Sequence, residues 1–245
     1  MNMKRILILA LGLALLLSSC VKNPEPTDIH FSILGDSFSS LEGYVDPETN
    51  DPYHNYAAIG VTSPEQMWWH QVATGMGWTM DVNNSFSGSL VCNNADFTAG
   101  PYYAPQSFIN RMDHLGDPDV IFVFGATNDI YHHVELGDYV YADWTEEQLC
   151  SFRPALAYLF DYIDNQHPKA TVYFLLDLNL CIDDPAVDST TRQAYIESIH
   201  RIANHYGVGC IDIREIHKDH WHPDVKGQKD IADQVIEALE LDFNV

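Results

Sequence analysis

The chain has 245 residues, 46% of them hydrophobic, and its 35 acidic against 12 basic residues leave a formal charge of −23. So acidic a surface repels phosphate backbones and anionic lipid headgroups, which excludes nucleic acid as a partner and excludes membrane attachment through a basic patch. Length and apolar content fit one domain with a sizeable core.

Residues 1–19 are expected to stand outside the fold. Lys4 and Arg5 form a positive start, Ile6 to Leu17 is apolar, and Leu17-Ser18-Ser19-Cys20 closes the run with small residues before a cysteine. A membrane-spanning helix needs about 20 apolar residues, so this shorter run reads as a secretory leader. Its ending resembles a bacterial lipobox. That resemblance implies a lipid on Cys20 and an exported protein held at the membrane only through that lipid. Residues 20–28, with Pro24 and Pro26, would be a flexible tether, and 29–245 the folded domain. An exported location permits disulfides among Cys92, Cys150, Cys181 and Cys210, but a domain of this size does not need them and no pairing is assigned.

From there strands and helices alternate. Ile29 to Leu34 is an apolar first strand that breaks at Gly35-Asp36-Ser37. A long polar and aromatic stretch, Leu41 to Thr62, precedes Ser63-Pro64-Glu65-Gln66, whose cap residue and early proline predict a helix continuing through Trp68 to Val72. Trp68 and Trp69 read as helix packing on the sheet, because one of two adjacent positions must face inward. A short strand over Trp78 to Val82 runs into a polar loop, Asn83 to Ser89, and one or two helical turns are expected near Pro105 to Met112. Asp119 to Phe124 is a continuous apolar strand of the kind buried on both faces of a parallel sheet, and it ends in Gly125-Ala126-Thr127-Asn128-Asp129.

The later half repeats the unit. A helix is expected from Thr145 to about Asn165, then a strand over Ala170 to Leu176, a helix over Thr190 to Tyr206 and a strand over Val208 to Ile213. Val225 to Leu241 closes the chain as an amphipathic helix with Ile231, Val235, Ile236 and Leu239 on one stripe. This alternation predicts an α/β fold: a flavodoxin-like three-layer sandwich with a five-stranded parallel sheet and right-handed crossovers.

Ligands collect at the carboxyl ends of the strands in such sheets. The loops that meet there hold Ser37, then Asn84 to Gly88, then Gly125 to Asn128, and finally Asp219-His220-Trp221-His222-Pro223. Taken singly each has a plain reading: Gly-Asp-Ser as a turn or helix cap, Gly88 as a bend, Asn128 as a turn, His222 as a surface histidine. Taken in order, Ser37, Gly88, Asn128 and His222 resemble the four blocks of the SGNH hydrolases, also called GDSL esterases. The closing Asp-x-x-His-Pro with Gly227 soon after is the most telling block. Glu42-Gly43-Tyr44, Trp68-Trp69 and the Asn83 to Ser89 loop look like a bacterial subgroup of that family with many exported members. Two departures stand out: Phe38-Ser39 follows the nucleophile in place of leucine, and Ala126 stands where a glycine is common. The first is a packing change and the second alters backbone freedom, so neither removes a reacting group.

The resemblance implies a serine esterase without metal or organic cofactor. Ser37 would be the nucleophile and His222 its base, since neutral imidazole is available near neutral pH. Asp219 would hold the other ring nitrogen, and the oxyanion hole would comprise the Ser37 and Gly88 N–H groups with the Asn128 amide. The expected substrate is a short acyl ester, most simply acetyl, on a carbohydrate. Lysophospholipase, thioesterase or acyltransferase chemistry would use the same residues, and a glycan-binding lipoprotein without turnover is a reading from another class. His217, His220 and His222 with Asp219 and Asp224 could alternatively form a metal site. Tyr44, Tyr53, Trp68, Tyr102 and Tyr103 are open as pocket residues.

Overall fold

The computed structural model describes residues 27–45, 54–93 and 106–243. The expected leader, Cys20, Tyr53, Tyr102 and Tyr103 lie outside the described residues. Five strands form one parallel sheet: β1 (His30–Gly35), β2 (Thr79–Ser85), β3 (Val120–Phe124), β4 (Thr171–Asp177) and β5 (Gly209–Ile213). Their order is β2-β1-β3-β4-β5. This is the flavodoxin-like order, in which the direction of winding reverses between β1 and β3 and opens a crevice at their carboxyl ends.

Among the described residues six α-helices complete the layers: α1 (Trp68–Met76), α2 (Phe108–Arg111), α3 (Thr127–Tyr131), α4 (Phe152–Gln166), α5 (Ser189–Tyr206) and α6 (Val225–Phe243). Because strand side chains alternate between faces, Ile121, Val123, Phe174 and Leu176 pack with α4 and α5 on one side. Phe31, Ile33, Phe122, Phe124 and Leu175 pack with α1 and α6 on the other. The predicted stripe of α6 is the buried one, with Ile231, Val235 and Leu239 fully enclosed. Both Trp68 and Trp69 are buried too, at 0% and 2% exposure. Their indole N–H groups donate to Ser39 Oγ and to the Ser39 carbonyl at 3.2 and 3.0 Å.

Three boundaries differ from expectation. The helix expected to run on from Pro64 is interrupted: a 3-10 turn over Pro64–Gln66 ends at Met67, whose extended backbone (ψ 144°) separates it from α1. Strand β2 continues through Asn83, Asn84 and Ser85, read from sequence as a loop, and all three are buried. Their polar groups are satisfied inside: Asn83 donates to the Ser39 carbonyl at 3.0 Å, Asn84 to the Arg111 carbonyl at 2.7 Å, and Ser85 to Asn83 Oδ1 at 2.5 Å. Helix α4 starts at Phe152 and not at Thr145, with a separate 3-10 turn over Gln148–Cys150 before it. Pro154 explains this, since its ring would clash with the carbonyl four residues back and so tolerates only first-turn positions.

Candidate active site

The turn after β1 begins at Gly35, where an added Cβ would lie 2.6 Å from Ser85 Oγ and 2.9 Å from Ser39 Cβ. Only glycine allows strands and turn to approach this closely. Asp36 is buried, and its Oδ1 accepts the Phe38 N–H at 2.9 Å, closing a tight turn that presents Ser37. Tyr56 donates to the Ser37 carbonyl at 2.8 Å. Gln228 of α6 donates to the Phe38 carbonyl at 3.4 Å and accepts the Trp68 N–H at 2.9 Å.

His222 arrives from the far end of the chain, on a two-residue antiparallel ladder formed by β6 (Lys218–Asp219) and β7 (His222–Pro223). Its Nε2 lies 3.0 Å from Ser37 Oγ. Burial, with the neighbouring His54 ring and the Lys218 ammonium, lowers the His222 pKa to about 3, so the ring is a neutral acceptor. Lys218 is held by Asp177 at the end of β4, Nζ to Oδ2 2.6 Å, and both side chains are largely buried.

Asp219 is the predicted site residue that does not meet its partner. It sits directly opposite His222 in the ladder, yet its half-exposed carboxylate points to His220, 3.7 Å away. No described carboxylate is paired with His222. An exposed carboxylate keeps its hydration, which it would lose on turning inward without a cation to meet. The alternative metal grouping does not converge either. His217 pairs with Asp224 at 2.9 Å, His220 is 89% exposed, and His222 faces Ser37.

The other loops complete the edge. Gly88 has φ 83°, the left-handed region that suits glycine. Neither its N–H nor that of Ser37 has a hydrogen-bond partner among the described residues. Backbone donors left open at this edge of the sheet are free to meet an acceptor on a bound molecule. Asn128 lies in the first turn of α3, a helix read from sequence as loop, and its amide donates to the Ser89 carbonyl at 3.0 Å. Ala126 just before it adopts φ 77°, so the departure from glycine carries a left-handed alanine, a cost of about 1–2 kcal/mol. Asp129 is buried and accepts the Val91 N–H at 2.9 Å, tying α3 to the loop after Gly88. Burial raises its carboxyl to about 6 and that of Asp36 to about 7.

Sequence reasoning missed Arg111. Its buried guanidinium donates to the Asn84 carbonyl at 2.6 Å, the Gly35 carbonyl at 3.1 Å, Ser89 Oγ at 3.1 Å and the Gln106 carbonyl at 2.7 Å. One side chain thus joins the turn that carries Ser37 to the loop that carries Gly88. Nothing in the sequence marks it, because three of these four acceptors are distant in the chain. His54 and Lys218 were missed for the same reason.

Ser37 and His222 open into a cavity of about 220 Å³ lined also by Phe38, Thr127, Asn128, Tyr131, Cys181 and Trp221. Tyr131 and Trp221 are 44% and 40% exposed. They meet edge to face at 5.4 Å. The Cys181 thiol donates to the Thr127 carbonyl at 3.4 Å and is pushed up to about 12 by burial, so it offers no thiolate. Wider clefts of about 630 and 530 Å³ lie beside Arg214 and beside His133, away from Ser37. Among the described residues no cluster of three or more His, Cys, Asp or Glu is placed to hold a metal ion, Cys150, Cys181 and Cys210 form no disulfide, and no helix is long and apolar enough to cross a membrane.

Sheet order, crevice and hydrogen-bonded Ser–His pair define an α/β protein of the hydrolase class. Comparison with known proteins agrees. The profile of the family described as GDSL-like lipase/acylhydrolase matches residues 29–239. A protein named as a GDSL-like lipase from Bacteroides ovatus is 40% identical, with 88% of this chain and 99% of that one aligned and a TM-score of 0.75. One of the same name from Bacteroides uniformis is 34% identical, with 87% and 96% aligned and a TM-score of 0.75. A carbohydrate esterase family 2 enzyme with a carbohydrate binding domain, from Corynascus thermopiles, shares the fold at 16% identity, with 91% and 69% aligned and a TM-score of 0.58. No functionally curated protein matches the chain. The chain belongs to the GDSL-like lipase/acylhydrolase family, whose other name is the SGNH hydrolases.

Proposed function

We propose that the protein is a serine esterase that removes a short acyl group, most simply acetyl, from a carbohydrate. The observation that carries this is the 3.0 Å contact between Ser37 Oγ and a buried, neutral His222 Nε2 at the floor of the cavity. His222 takes the Ser37 proton as the oxygen attacks the ester carbonyl. The tetrahedral oxyanion is received by the open N–H groups of Ser37 and Gly88 and by the Asn128 amide, which exchanges its bond to Ser89 for one to the oxyanion. The imidazolium protonates the leaving alcohol, leaving acyl-Ser37, and water reverses the sequence to release the acid.

Asp219 takes part once His222 is charged. Residues directly opposed in an antiparallel ladder have Cβ atoms about 4.5–5.5 Å apart, so a rotamer change brings this carboxylate toward Nδ1. Catalytic contacts are often loose in the unliganded state and tighten with substrate.

Size and rim support the substrate class. The cavity of about 220 Å³ is smaller than the roughly 300–1,000 Å³ of pockets that enclose larger ligands, which favours a small acyl group and its ester. Along its wall the half-exposed Tyr131 and Trp221, at the end of α3 and next to His222, supply aromatic rings of the kind on which sugar rings stack.

The test is hydrolysis of p-nitrophenyl esters from acetate to palmitate, with fluorophosphonate labelling, for wild type, Ser37→Ala and His222→Ala. Short-chain turnover and labelling that both variants lose by several orders of magnitude support the reading. A preference for palmitate, or equal rates in all three proteins, overturns it. We also place the protein outside the cytoplasm with a lipid on Cys20, as its leader suggests. Metabolic fatty-acid labelling of the full chain should disappear in Cys20→Ala.

A further inference from the structure

The imidazole of His54 has no part in the reading above, yet it lies face to face on the ring of His222, centroids 3.5 Å apart and planes inclined by 11°. The segment before α1 places it there. The His54 N–H donates to Ser40 Oγ at 3.2 Å, and its ring meets that of Tyr56 edge-on at 4.7 Å. His54 Nε2 is buried without a hydrogen-bond partner. A polar atom has therefore been withdrawn from water with no bond in return, and what the ring gains is the stack. Phe38 and Tyr56 approach His222 edge to face at 5.9 and 6.2 Å. Three aromatic rings thus enclose the imidazole, while no described carboxylate holds its Nδ1.

We propose that His54 is a positioning residue for the base, a neutral imidazole stacked on His222 that fixes the plane of that ring and keeps Nε2 aligned with Ser37 Oγ. This rests on the reading of His222 as the general base. Two rings in such contact cannot both carry a proton without strong repulsion. His54 must therefore stay neutral when His222 receives the Ser37 proton, and its own burial favours that state. A neutral ring face over the new imidazolium is attractive, as for any cation over an aromatic face. The other titratable groups facing His222 are Ser37, Tyr56, Lys218 with its partner Asp177, Cys181 across the cavity, and Asp219 in the opposing strand.

The experiment compares His54→Ala, His54→Leu and His54→Phe with wild type. It reads the rate of fluorophosphonate labelling of Ser37, kcat and KM for p-nitrophenyl acetate, and the NMR titration of the His222 ring. Alanine and leucine should lower labelling and kcat by about 10- to 100-fold with KM little changed, the scale of loss expected when a reacting group is misaligned. Phenylalanine, a flat ring in the same place, should recover most of that loss. The His222 titration should move upward in His54→Phe, because a cationic neighbour can no longer form there. Wild-type labelling in His54→Ala, or leucine recovering as much as phenylalanine, overturns the proposal. A wild type that Ser37-directed probes never label defeats the esterase reading instead. In that case the ring titration still decides the present point, since a His222 titration identical in wild type and His54→Ala, which has no ring to stack, shows that the stack does nothing.

Discussion

The lowered His222 pKa should let the nucleophile work in acid. An imidazole at the ordinary value of 6.5 is neutral in only about 3% of molecules at pH 5. With its pKa brought to about 3, His222 is neutral in nearly all molecules at that pH. Labelling of Ser37 by a fluorophosphonate, which reads the free enzyme, should therefore hold its rate from pH 8 down to about 5. Stability must be followed alongside, and its sign is mixed. A histidine whose folded pKa is lowered contributes stability above pH 6.5 and loses it as the pH falls through 6.5 toward 3, in total on the order of 5 kcal/mol. Asp36 and Asp129 act oppositely. Their folded values of about 7 and about 6 exceed the usual 3.8, so between pH 7 and 4 the folded state gains protons first and is stabilised as the pH falls. The two effects offset each other, and circular dichroism should show a folded protein at pH 5. A labelling rate that halves near pH 6.5 in a protein still folded would refute the argument that burial, the His54 ring and Lys218 depress this histidine.

Three substitutions probe the rest of the edge. Asn128→Ala removes an oxyanion donor and should lower kcat by about 10²–10³ with KM little changed, measured on p-nitrophenyl acetate. Arg111→Met removes from the interior the hydrogen bonds that the guanidinium gives to Gly35, Asn84, Ser89 and Gln106, a loss of about 3–5 kcal/mol that should lower Tm by about 10 °C in a domain of this size. Gly35→Ala forces a methyl to within 2.6 Å of Ser85 Oγ. It should cost about 2 kcal/mol and slow labelling of Ser37, because the strain falls on the turn that presents it; unchanged Tm and labelling would show that the turn yields freely.

The sequence by itself determined the class of fold, since apolar strands alternating with amphipathic helices have few other ways to bury both. It also indicated which loops gather at the candidate site: glycine and small polar residues just past a buried strand have no role in the core, and Ser37, Gly88 and Asn128 fall in such places. Boundaries were legible only where a local rule acts. Asp188 caps α5 by accepting the Thr191 N–H at 2.7 Å, next to the predicted start. Asn83 to Ser85, in contrast, are polar residues that become strand because partners far along the chain satisfy them. Only the tertiary structure decided what surrounds the reacting pair. Ser37 and His222 are 185 residues apart, and Arg111 and Lys218 bond to Gly35 and Asp177, 76 and 41 residues away. The direction in which Asp219 points was decided in the same way, by the balance between hydration at the surface and a charge that His222 does not yet carry. Spacing along a chain can indicate which groups share an edge of a sheet. It carries no information on which ring stacks on which, or on how far burial moves a proton equilibrium, because those depend on packing from elements that the local sequence never meets.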